Sequence, residues 1–250
     1  MIAHTDYFYQ ILINIALSSA RIMPMFIMLP FLNSNVINNT IRIPVVMLLG
    51  MALYPGHENF ILELPLLEKL ALVSKEVFIG LLLACLICTP FWIIHAVGCI
   101  IDNQRGATIS SSIDPVSGVD TSELANFFNL FCTVIFLNTG GMVLMLETIH
   151  KSYELIGPTE FRLPAIQLIP PMLNFIITRA VMVASPLAAI FLLTEAILGL
   201  LSRFAPQMNV FSLSLTIKSF IGFFILILYI PNSLPGIVRS LTFVAGKLSL

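Results

Sequence analysis

Between Asp102 and Glu123 the chain reads DNQRGATISSSIDPVSGVDTSE, a polar run set inside an otherwise almost continuously apolar sequence. Hydrocarbon offers neither donor nor acceptor, so such a run survives only where water or protein partners satisfy its backbone and side chains. The island therefore marks a wet passage or an assembly surface, and the rest of the chain has to be arranged around it. Of the 250 residues, 58% are hydrophobic and 10% charged, with a mean hydropathy of +1.00. These are values of an integral membrane protein rather than a soluble domain. A net charge of −1 supplies no basic field for nucleic acid.

The apolar runs are long, rich in Leu, Ile, Met, Phe and Ala, and free of period-2 alternation, which predicts an all-α fold. Helices are expected over Phe8 to Leu29, Ile43 to Tyr54, Leu70 to Ile101, Leu124 to Leu146, Leu173 to Leu201 and Phe211 to Ile230. They do not read as uniform crossings of about 20 residues: the second is short and the third too long. Pro24, Pro90 and Pro186 fall inside runs, where a missing donor and a ring clash predict kinks or breaks. Hydrophobic helical hairpins with broken helices are the expected architecture, in one domain over residues 1–250 with a polar loop at 102–123. Asp114-Pro115 and Ser117-Gly118 are turn signals within that loop, and Asp120 followed by Glu123 fits a capping box opening the next helix. Met1 to Tyr7 lacks a cationic start, so the first apolar segment is expected to stay attached. Cationic residues occur on nearly every connection, so no orientation follows.

Arg21, Glu76, Glu147, Arg179, Glu195 and Lys218 lie in or beside apolar runs. A charge facing lipid at mid-depth costs about 2.5–3.5 kcal/mol on insertion scales, so these residues should face partners or water. Charge pairing is favoured over an ion path. Glu195 and Lys218 lie on consecutive helices joined by the short turn LSRFAPQMNVF, so they can pair. Pro206 and Asn209 form that turn, while Arg203 and Gln207 bring heads that need partners if buried. Cys85 and Cys88, at helical spacing in an apolar run and without flanking His, read as packing residues, as do Cys99 and Cys132. His95 reads as a satisfied buried histidine. The G-x-S-x-G, H-E-x-x-H, Walker A and G-x-G-x-x-G patterns are absent, and neither an enzyme nor a cofactor is expected.

The string FWIIHAVGCIIDNQRGATISSSIDPVSGVDTSELANFF, followed by LLSRFAPQMNVFSLSLTIK and preceded by ARIMPMFIMLPFLN, closely resembles the T component of type III secretion export apparatuses, the family with FliR as its flagellar counterpart. The resemblance runs over most of the chain. It implies a core subunit of an injectisome's inner-membrane export gate, joined with R-type and S-type subunits in a hetero-oligomeric helical assembly, next to other export-gate and needle-base proteins. It also implies that unfolded secreted polypeptides pass through, and that much of the assembly sits on the periplasmic side, its apolar helices covered by neighbours rather than lipid.

Carried over by motif, Gln104, Arg105, Gly106, Ile109, Ser110, Ile113, Asp114 and Gly118 match the loop that the family places in the channel as a plug. Gly106 and Gly118 permit tight turns, the hydroxyls and Asp114 suit a wet lumen, and Ile109 and Ile113 supply an apolar stopper. A loop merely packed against partner subunits is the competing reading. Arg203, Pro206, Gln207, Asn209 and Lys218 match the second motif, which implies assembly packing, with Glu195 as partner of Lys218. The runner-up function is a small polytopic secondary transporter or channel with intramembrane charges at mid-depth. The absence of an internal repeat counts against it.

Overall fold

The computed structural model describes residues 2–34, 36–54, 65–106, 122–158, 167, 169–204 and 210–248. The fold is all-α, and no strand occurs among the described residues. In chain order the helices are α1 (Ile2–Met28), α2 (Asn39–Leu53), α3 (Leu66–Arg105), α4 (Glu123–Asn138), α5 (Gly141–Leu155), α6 (Ile169–Phe204) and α7 (Val210–Leu248).

Three expectations need correction. The run Leu124 to Leu146 is two helices, because Gly140 adopts a left-handed backbone (φ 81°) that ends α4 and opens α5. Conversely, the breaks expected at Pro24, Pro90 and Pro186 do not occur: α1, α3 and α6 run through them. At Pro186 the compensation is visible. The missing proline N–H frees the Met182 carbonyl one turn back, and the neighbouring Ser185 hydroxyl donates to that carbonyl at 2.8 Å. Helix α7 likewise continues to Leu248, well past the expected end at Ile230.

The chain forms two compact units. The first comprises Met1–Thr89, Leu137–Leu168 and Thr242–Leu250. Here α1 packs on α2, close enough that a Cβ on Gly50 would sit 2.7 Å from Ser18 Oγ. Leu17 and Leu72 form a buried contact flanked by Ile13 and Val73, and Ile22, Met25, Phe26 and Leu29 are buried as well. The second unit comprises Pro90–Phe136 and Ile169–Leu241 and consists of two antiparallel hairpins. In one, the end of α3 lies along α4; in the other, α6 lies along α7.

Among the described residues four segments are long and apolar enough to cross a membrane: Ile11–Met28, Leu66–Arg105, Ile169–Phe204 and Ser212–Tyr229, or five if α4 and α5 count as one broken span. The 40 residues of α3 extend about 60 Å at 1.5 Å per residue, twice the hydrocarbon thickness of about 30 Å. The most apolar part of α3 is 61% buried within the chain, that of α7 only 17%. The α6–α7 hairpin therefore leaves Leu192, Leu193, Ile197, Phe220, Phe224 and Ile227 exposed, and this surface needs lipid or a partner.

Candidate functional site

The polar island begins as helix: Asp102 to Arg105 complete the last turn of α3, and Gly106 ends it in a left-handed conformation (φ 79°), its N–H donating to the Asn103 carbonyl at 3.1 Å. The far end of the island is Ser122, which caps α4 by accepting the Ala125 N–H on its Oγ at 3.1 Å. The cap is thus Ser122, two residues after the Asp120 that the sequence pattern suggests; Asp120 lies outside the described residues.

Asp102 ties the two ends together. Its Oδ2 accepts the Ser122 hydroxyl at 2.6 Å and the Leu124 N–H at 3.1 Å, while its Oδ1 accepts Arg105 Nε at 2.7 Å. Asp102 is 1% exposed, so its charge is stabilised by these three donors and by the positive end of α4. Deeper in the hairpin the helices touch backbone to backbone: a Cβ on Gly98 would fall 2.5 Å from Ala125 Cα. His95 is satisfied as expected, with the Asn129 amide 2.9 Å from its Nδ1. Phe91 meets Phe136 edge-on at 5.3 Å. Arg105, besides holding Asp102, lies over the Phe223 ring of α7 at 4.8 Å.

Of the expected channel residues, Gln104, Arg105 and Gly106 thus stand, partly exposed, at the root of the loop. Ile109, Ser110, Ile113, Asp114 and Gly118 lie outside the described residues. In the second hairpin Lys218 Nζ lies 3.0 Å from Glu195 Oε2, joining the two residues that the sequence suggested as a pair. Lys218 is buried and Glu195 is 59% exposed, so the pair offers its carboxylate outward from an apolar face. Gly222 receives the Phe191 ring, and the Tyr229 hydroxyl donates to the Val183 carbonyl at 3.4 Å. Arg203 is exposed at the end of α6, while Pro206, Gln207 and Asn209 lie outside the described residues.

The first unit holds a buried charge cluster. Arg21 donates through Nε to Glu76 Oε2 at 2.5 Å and through a terminal nitrogen to Oε1 at 3.0 Å. It also reaches Ser152 Oγ at 3.1 Å and the Ile156 carbonyl at 3.1 Å, and lies over the Tyr153 ring at 3.9 Å. Lys75 Nζ approaches Glu76 Oε1 at 3.0 Å and donates to the Gly157 and Pro158 carbonyls at 3.0 and 2.7 Å. Arg21 and Glu76 were visible in the sequence as charges within apolar runs; Lys75, beside Glu76 in the same run, carried that signal and was missed, while nothing local distinguishes Ser152 and Tyr153. Close approach of α3 supports the cluster: a Cβ on Gly80 would overlap the Arg21 backbone. Among the described residues no group of His, Cys, Asp and Glu could hold a metal ion, and Cys85, Cys88, Cys99 and Cys132 form no disulfide.

The sequence profile of the family described as "Bacterial export proteins, family 1" matches residues 12–243. The chain is 45% identical over 244 residues to the surface presentation of antigens protein SpaR of Salmonella typhimurium, covering 96% of this chain and 92% of that protein. It is similar at 29% identity over 252 residues to the Yop proteins translocation protein T of Yersinia pestis, covering 98% and 96%. It is similar at 25% identity over 226 residues to the flagellar biosynthetic protein FliR of Buchnera aphidicola, covering 90% and 88%.

Proposed function

The chain belongs to bacterial export protein family 1 and is a T-type subunit of a type III secretion export apparatus, and from that premise we propose that its polar island is the movable plug of a channel for unfolded secreted proteins. The observation that carries this reading is the anchorage of the island. Asp102 binds Ser122 and the Leu124 N–H, so both ends of the loop emerge together from a rigid hairpin. A loop fixed at its root can move its tip aside without unfolding the helices that carry it.

The four membrane-length segments and the family assign the chain to the bacterial inner membrane. Helices α3, α6 and α7, with 40, 36 and 39 residues, exceed one hydrocarbon thickness by roughly 25–30 Å each. This excess favours an assembly rising from the bilayer; its placement on the periplasmic side is what the family resemblance implies. Membership of an export apparatus entails assembly with its other subunits. The partners in this reading are R-type and S-type subunits, other export-gate and needle-base proteins, and the polypeptides in transit. The exposed α6–α7 face, with Glu195, Arg203 and Lys218, is the assembly surface in this reading, and Pro206, Gln207 and Asn209 of the connecting sequence are assigned to assembly with it. Residues Gln104, Arg105, Gly106, Ile109, Ser110, Ile113, Asp114 and Gly118 form the plug.

At rest the plug blocks ions, because an open secretion channel dissipates the proton gradient. Open and closed states separated by a few kcal/mol suffice for a substrate to shift the balance. Shortening the segment from Gly106 to Gly118 is expected to raise ion leakage while assembly persists. Unchanged conductance in a complex verified as assembled refutes the plug.

A further inference from the structure

We propose that the first unit binds an anionic phospholipid, with its phosphate on Arg42 at the start of α2 and an acyl chain in the groove between α1, α2 and α3. Arg21 and Arg42 are both buried in this unit, but only one is neutralised. Arg21 gives its donors to Glu76, Ser152 and the Ile156 carbonyl. Arg42 is 7% exposed, yet among the described residues neither a hydrogen bond nor a counter-charge meets its guanidinium, and its Nε is sealed from solvent without an acceptor. A buried cation without an anion is strongly destabilising, so the anion has to come from outside the chain.

The surroundings select a phosphate on a lipid. Arg42 lies in the first turn of α2, and helix side chains lean toward the N-terminus. Asn38 makes no side-chain cap there, and the N–H groups of Asn39 and Thr40 have no acceptor among the described residues. An anion with several oxygens can take these N–H groups and the planar guanidinium together. One turn further along α2, about 6 Å away at 1.5 Å per residue, Val46 enters a groove of about 360 Å³ lined also by Met23, Pro24, Ile27, Ile43 and Val77. The hydroxyl of Ser19, the polar side chain in this lining, donates to the Ala16 carbonyl of its own helix at 3.1 Å. A polar occupant finds no partner in such a groove, whereas an acyl chain needs none. The α1 wall belongs to the membrane-length segment Ile11–Met28. Helix α2 runs back along it, with Gly50 against Ser18 and with Ile43 and Val46 sharing the groove with Met23, Pro24 and Ile27. Arg42 therefore stands near the end of that span, the level at which basic pockets between membrane helices hold anionic headgroups. A carboxylate of a partner subunit would neutralise Arg42 but leave the groove without an occupant.

The test uses the assembled export-gate complex, stripped of lipid in an uncharged detergent. Dioleoylphosphatidylglycerol is added, with dioleoylglycerol as the same chains without phosphate and inorganic phosphate as the anion without chains. Native mass spectrometry counts bound lipid, and the thermal midpoint is followed alongside. Phosphatidylglycerol is expected to be retained and to raise the midpoint, and the other two probes at equal concentration to do neither. Arg42→Met is expected to lower the affinity for one phosphatidylglycerol per copy of this chain about tenfold, the equivalent of one lost charged hydrogen bond. Without lipid the same variant is expected to be at least as stable as the parent, because the unpaired charge is gone. Val46→Phe, which puts a ring into the groove and leaves Arg42 in place, is expected to weaken phosphatidylglycerol binding several-fold; should it not assemble, the parent's preference for phosphatidylglycerol over inorganic phosphate decides the groove. Inorganic phosphate that stabilises the parent as well as phosphatidylglycerol does overturns the lipid, and equal retention of dioleoylglycerol overturns the role of Arg42. An Arg42→Met complex that binds phosphatidylglycerol like the parent, or that is destabilised or unassembled before any lipid is added, overturns the site. Loss of a partner subunit from that variant with the lipid kept assigns Arg42 to a partner's carboxylate instead.

Discussion

Replacing Glu76 by Gln removes the one carboxylate in the buried cluster of the first unit while keeping its size. Glu76 is fully buried and faces Arg21 Nε at 2.5 Å, an Arg21 terminal nitrogen at 3.0 Å and Lys75 Nζ at 3.0 Å. An amide offers one acceptor and turns its NH2 toward a cation, leaving two positive side chains that keep their carbonyl and hydroxyl acceptors but have no counter-charge. Breaking a buried pair from one side costs about 3–5 kcal/mol. The internal control is Glu195→Gln: Lys218 is buried but Glu195 is 59% exposed, so water screens the carboxylate end of the pair and can stand in for it, and the loss is expected to be about 1 kcal/mol.

At roughly 2–4 °C per kcal/mol for a chain of this length, the thermal midpoint in detergent is expected to fall by about 6–20 °C for Glu76→Gln and by no more than about 4 °C for Glu195→Gln. A double replacement, Arg21→Leu with Glu76→Leu, removes both charges and leaves Lys75 on the Gly157 and Pro158 carbonyls. It is expected to recover at least half of the loss, since a buried pair exchanged for apolar groups is often neutral. Equal midpoints for Glu76→Gln and Glu195→Gln, or a double variant as unstable as the single one, refute the claim that paired charge holds this unit together.

The two hairpins of the second unit give further tests. Gly98→Val drives side-chain atoms into the Ala125 backbone. The resulting overpacking is expected to cost about 1–3 kcal/mol and to raise resting conductance by disturbing Asp102 one turn away; a silent Gly98→Val argues against a tight hairpin. Glu195→Lys and Lys218→Glu are each expected to weaken co-purification with partner subunits, and the combined swap to restore it. Failure of the swap shows that the pair, 3.0 Å apart, does not act as a pair in assembly.

Much of the second hairpin was legible because its signals are local. The short turn between α6 and α7 put Glu195 and Lys218 on consecutive helices within reach of each other, which made their pairing plausible from the sequence. The polar island was legible for the same reason, through contrast with its flanks. Its anchorage was not. Asp102 read as the first residue of a loop, whereas it closes α3 and accepts bonds from residues 20 and 22 positions on. Helix ends were drawn too short wherever a polar turn extends an apolar run, as at Arg105 and at Leu66–Lys69. The prolines do not break their helices, and at Pro186 the reason lies beyond the local rule, in the Ser185 hydroxyl that serves the freed Met182 carbonyl.

Apolar composition and the lack of period-2 alternation determined that this chain consists of long apolar helices with a polar island between two of them, since both signals act within a few residues and need no partner to be read. Which charges neutralise one another was decided only in three dimensions. Arg21 and Glu76 stand 55 positions apart, and Arg21 and Ser152 131 apart. Such pairs form where packing happens to exclude water, and the cost of an unpaired charge there selects the arrangement.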